Sequence, residues 1–131
     1  MLWLGLGLGC VRTTQVAGQG SVSDGGSRAL RLLSAQLNGT FEATGPSKVR
    51  ITFKGVSAGN ALIEDYVTAS GTETISVYHA DQGSLLFTHY CAQGNQPRLR
   101  LSRQESGVYV FELLDVTNRK PGQAMLVEKR V

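Results

Sequence analysis

Few side chains in this sequence could do chemistry, and most of them lie in one stretch. There are two histidines, His79 and His89, and two cysteines, Cys10 and Cys91. His89 and Cys91 are two residues apart, the spacing that puts two side chains on one face of a strand. A thiolate–imidazole pair is the chemistry such a placement offers. Just downstream, Asn95-Gln96-Pro97-Arg98 sets two amides, a rigid ring and a guanidinium side by side. That run suits either the polar rim of a pocket, with Arg98 gripping an anion, or a turn whose Asn bonds its own backbone.

These residues need a hairpin to position them. Thr72–Ala80 and Ser84–Cys91 both read as strands around Asp81-Gln82-Gly83. A three-residue loop ending in a left-handed Gly would set His79 opposite Leu85, Val77 opposite Phe87 and Ile75 opposite His89. Both imidazoles would then share the more apolar, inward face with Val77, Leu85 and Phe87. They would lie more than roughly 10 Å apart at about 3.3 Å per residue. One metal ion cannot bridge that through the hairpin, because Zn–N bonds are about 2 Å. Hydrogen-bonded histidines lining a core or cavity are the expectation.

The rest of the chain supplies walls. Leu30, Leu33 and Leu37 recur at helical spacing after Ser27, which suits an N-cap, and Asn38-Gly39 stops that helix. From Gly39 the period becomes two. Val49, Ile51 and Phe53 alternate with Arg50, Thr52 and Lys54, the pattern of a half-buried antiparallel strand. Strand patterns recur about every ten residues, at 40–44, 48–54, 61–67, 72–80, 84–91, 98–103, 108–116 and 125–131. The fold class expected is mainly β: an antiparallel up-and-down meander, closed as a barrel or folded as a sandwich, with one short N-terminal helix.

Composition bounds the class. The chain has 131 residues, 41% of them apolar and 16 glycine, room for one domain of short strands and tight turns. The net charge of +3 collects late, with seven Lys/Arg against four Asp/Glu in 97–131. Nucleic-acid binding would need a denser basic patch interleaved with aromatics. Residues 1–9 are uncharged and apolar, too few to span a bilayer as a helix, but similar to the core of a signal peptide. Gly9-Cys10 resembles the lipobox of bacterial lipoproteins, which makes Cys10 a candidate lipidation site and the chain extracytoplasmic. Residues 1–10 thus read as a leader, 11–26 as a Gly/Ser/Thr tether, and 27–131 as the folded domain. A Cys10–Cys91 disulfide would have one end on that tether and is not expected.

Val77-Tyr78-His79-Ala80-Asp81, Thr88-His89-Tyr90-Cys91 and Gly94-Asn95-Gln96-Pro97-Arg98 resemble a family of bacterial exported proteins. Gly39-Thr40-Phe41-Glu42 is similar to the Gly-Thr-Trp-Glu start of calycin-like barrels, with Phe41 in place of Trp. The resemblance covers roughly residues 28–118 and implies a lipocalin-like barrel with a pocket, but no chemistry. It also implies further strands beyond Asp115–Asn118. The expectation is therefore an incomplete barrel, a truncated chain, or a barrel completed by a second copy in a homodimer.

The function expected is binding of a small apolar or amphipathic molecule. Phe53 and Phe87 belong to the wall, and His79, His89, Asn95 and Arg98 orient the ligand. The alternatives are a haem-type or other enzyme site on His79 or His89, and a structural envelope module with a filled interior.

Overall fold

The computed structural model describes residues 24–43 and 45–131. One helix, α1 (Gly25–Leu37), precedes eight strands: β1 (Gly39–Glu42), β2 (Val49–Val56), β3 (Ala61–Thr68), β4 (Glu73–Asp81), β5 (Ser84–Tyr90), β6 (Gln96–Glu105), β7 (Val108–Thr117) and β8 (Glu128–Arg130). They form a single sheet in sequence order, each strand antiparallel to the next. The class read from periodicity is the class observed. Among the described residues β1 and β8 do not pair, so the meander curls into an incomplete barrel with two free edges. Register shifts in the β6–β7 ladder at Arg98/Leu99 and Leu101/Arg103 are bulges of the kind that increase local twist and curl.

The helix closes one end of this curl. Gly26, Ala29, Leu30 and Leu33 form its buried stripe. Gln36 Nε2 donates to the Gly107 carbonyl in the β6–β7 turn at 3.1 Å. At the other end of the helix, Gly26 lies against Ser84 beside the β4–β5 turn. A Cβ added there would stand 2.1 Å from the Ser84 carbonyl oxygen. That contact corrects the expected start. Asp24, not Ser27, occupies the N-cap position, and Gly25-Gly26 belongs to the helix, not to a tether. The glycines are there because backbone must approach backbone.

The β4–β5 hairpin departs from expectation by one residue. Its loop has two residues, Gln82 and Gly83, both with positive φ (45° and 83°). This is the primed turn geometry whose twist matches flanking strands. Asp81 pairs with Ser84, Tyr78 with Phe87 and Ser76 with His89. A one-residue change of register exchanges the faces of a strand. Tyr78 and Ser76 therefore turn inward, fully buried or nearly so. The phase that holds Ile75, Val77 and His79 turns outward.

The core lies between helix and sheet. Leu33, Leu62, Tyr78, Leu85, Phe87, Leu99, Tyr109 and Phe111 are 0–1% exposed. Tyr78, Phe87 and Phe111 meet pairwise with centroids 4.8–5.9 Å apart, in edge-on or tilted geometry.

Candidate functional site

Ladder partners share a face, so the register maps the concave side. Next to the helix runs the row Leu62, Tyr78, Phe87, Leu99. Beyond it come Phe53, Glu64, Ser76 and His89, and farther out Phe41, Ile51, Tyr66 and Thr74. The first row is sealed. The outermost row is half-buried except for Phe41, which is 47% exposed.

The middle row carries a buried polar network. Glu64 on β3 is 3% exposed. Its Oε2 accepts from Tyr78 Oη at 2.5 Å and its Oε1 from Lys129 Nζ at 2.7 Å. Lys129 comes from β8, at the far edge of the sheet, so this ion pair crosses the concave interior. Its Nζ also stands 5.9 Å from the centroid of Phe87. The His89 ring lies parallel to that of Phe87, centroids 6.3 Å apart, and its Nδ1 is 3.0 Å from Ser76 Oγ.

Electrostatics follow from the burial. Desolvation and the neighbouring Glu64 carboxylate push the Tyr78 phenol far above its ordinary range, so it remains a donor. Burial holds the His89 imidazole below its ordinary 6.5; Glu64 opposes this and Lys129 adds to it. His89 is therefore chiefly neutral at pH 7, with one ring nitrogen engaged by Ser76. The arrangement can orient a polar group laid over it. β5 ends at Tyr90, and Cys91 lies in the following turn, its N–H donating to the Asn95 carbonyl at 3.1 Å. Among the described residues, no hydrogen bond joins its thiol to His89, and no group of three or more His, Cys, Asp and Glu side chains is arranged to hold a metal ion.

The residues expected to line a pocket are dispersed. Phe53, Phe87 and His89 do reach the concave side. Val77 and His79 are on the opposite face, with His79 Nδ1 3.2 Å from the Ala80 carbonyl. Arg98 is also on the outer face, its Nε donating to Asp115 Oδ1 at 2.7 Å and its Nη2 pairing with Oδ2. Asp115 raises the guanidinium pKa, and Arg98 holds the carboxyl down. Asn95 is fully buried, but its Nδ2 donates to the Ala124 carbonyl at 2.9 Å. With Asn118 Nδ2 on the Gly94 carbonyl and Gln123 Nε2 on Gln93, both at 2.6 Å, it ties the 91–96 turn to the 118–126 segment. The amide run is a fastening between loops, not a pocket rim. Cys10 lies outside the described residues.

A cavity of about 500 Å³ opens instead at the end of the sheet away from the helix. It is lined in part by Val49, Thr68, Lys48 and Arg50. Val49 and Thr68 are ladder partners in the phase of Ile51 and Tyr66, while Glu42, Arg50 and Val67, which also line the cavity, belong to the opposite phase, so the cavity lies around the end of the β1–β3 strands. No helix among the described residues is long and apolar enough to cross a membrane.

Comparison with protein-family models, curated proteins and solved structures found no match. The resemblance to bacterial exported proteins thus rests on the quoted residues alone.

Proposed function

We propose that this chain is a non-catalytic binding module for a small amphipathic acid, taken at the open half of its concave face. The observation that supports this most is the cavity of about 500 Å³ at the end of the sheet away from the helix, whose lining pair Val49 and Thr68 is the next same-phase pair along the β2–β3 ladder from half-buried Ile51 and Tyr66, a volume within the usual range for small-molecule sites. The apolar chain of the ligand lies over Val49, Ile51 and Tyr66 toward His89. Its anionic head meets Lys48 and Arg50 at the rim. Export behind the leader and lipid attachment at Cys10 belong to the same proposal, on the sequence of residues 1–10.

Titration with laurate tests the binding. Saturable heat and a rising thermal midpoint are expected, weakened in Ile51→Asp and, for laurate more than for dodecanol, in Arg50→Gln. Absence of saturable binding by either probe up to its solubility limit overturns the reading. Metabolic palmitate labelling that survives Cys10→Ser overturns the anchor.

A second reading, a structural module with a filled interior, is favoured by the fully buried Leu33, Tyr78, Phe87 and Phe111. The same titration separates the two.

A further inference from the structure

Among the described residues the sheet has two free edges, and they are not alike. β8 presents Glu128, Lys129 and Arg130, the charges by which edges resist pairing. β1 presents Gly39, Thr40, Phe41 and Glu42, with no lysine, arginine or proline. Its hydrogen-bond phase is set where the Ala43 N–H donates to the Val49 carbonyl at 2.9 Å. Counting back by twos, Phe41 and Gly39 turn their backbone groups to β2. Thr40 and Glu42 turn theirs away. Phe41, 47% exposed, lies edge-on to Phe53 at 5.9 Å and leaves its other side uncovered.

We infer that β1 is a self-association edge, pairing antiparallel with β1 of a second copy about a twofold axis through Phe41. In that register Thr40 stands opposite Glu42 of the partner subunit at hydrogen-bonded positions. Two such pairs exchange about four backbone bonds, two per pair. Phe41 meets its twin at the non-hydrogen-bonded position, where side chains approach most closely, and its bare face is covered. A slip of one pair toward Glu42 sets like charges directly opposite, which disfavours it. The interface is isologous. A four-residue edge buries far less than the roughly 1,000 Å² of a stable interface, so the dimer is weak and concentration-dependent. This inference does not rest on the ligand-binding reading.

Sedimentation equilibrium of the full chain over a wide concentration range tests it, with amide exchange read residue by residue. The wild type is expected to associate reversibly, with Thr40 and Glu42 amides gaining protection as concentration rises. Glu42→Pro and Thr40→Pro each remove only an N–H that faces away from β2, a change edge strands tolerate. Each is expected to weaken association by about tenfold or more, with the unfolding midpoint retained. Phe41→Lys does the same without altering the backbone, and serves where a proline variant fails to fold. A monomer at every concentration overturns the inference. So does association undiminished in Phe41→Lys, or protection appearing at residues 128–131 instead. Protection of Thr40 and Glu42 that needs an added foreign peptide, with the chain itself monomeric, also overturns it.

Discussion

The two halves of the concave face are built from the same alternating strands, yet they behave as different materials. Toward the helix, Leu33, Tyr78, Phe87 and Phe111 are sealed. Away from it, Ile51, Tyr66 and Thr74 stay half-buried, with a cavity at the rim. The difference comes from cover, not from strand composition: α1 lies over one half only. Between them the Glu64–Tyr78–Lys129 network joins β3 and β4 to β8 across the interior. A curled sheet that does not close can thus hold a rigid base and keep an accessible shelf above it.

The packed half should be the more sensitive. Phe111→Ala is expected to cost about 3–5 kcal/mol in denaturant unfolding, while Ile51→Ala costs clearly less. Equal losses would erase the contrast. Next is the network. Lys129→Met leaves Glu64 buried with only Tyr78 and should cost about 3 kcal/mol, and Glu64→Gln in the same chain should restore part of it. A double-mutant cycle measures the coupling; additive effects would show that the crossing pair does not brace the curl.

Gly26→Ala should destabilise by about 1–3 kcal/mol, because the added methyl meets the Ser84 carbonyl and the helix must shift off the β4–β5 turn. An unchanged midpoint would mean that the helix docks more loosely than its contacts indicate. The pH dependence is smaller. His89 has a folded-state pKa below its ordinary 6.5, chiefly through burial. Its contribution is present above 6.5 and lost as pH falls from there through the lower folded value, because the unfolded chain then binds the proton first. Stability should decline over that window in the wild type, and less in His89→Gln. Smallest of all is Arg98→Ala. Its pair with Asp115 lies on the solvent-facing side, and such pairs contribute little, so the thermal midpoint should not move measurably.

Strand periodicity made most of the fold legible: all eight strands fall where alternation places them, and the helix begins three residues before its expected start. Site residues were less legible, for a local reason. Asp81-Gln82-Gly83 suits a three-residue loop, but the chain uses the two-residue turn Gln82-Gly83, which exchanged His79 for Tyr78 on the inner face. Glu64 and Lys129 left a readable trace. Each interrupts an apolar phase, between Leu62 and Tyr66 and between Val127 and Val131. Opposite charges set into inward phases need each other, since an unpaired buried charge is costly.

Alternation of apolar and polar side chains is a property of neighbouring residues, so the sequence by itself determined the strands, the helix stripe and the β-rich class. Which face of β4 looks inward, and which charges meet, depended on partners far along the chain. Lys129 reaches Glu64 across 65 positions, and the helix buries Tyr78 and Phe87 from outside the sheet. Such choices are made by packing, where one residue of register trades a whole face, and only the tertiary structure decided them.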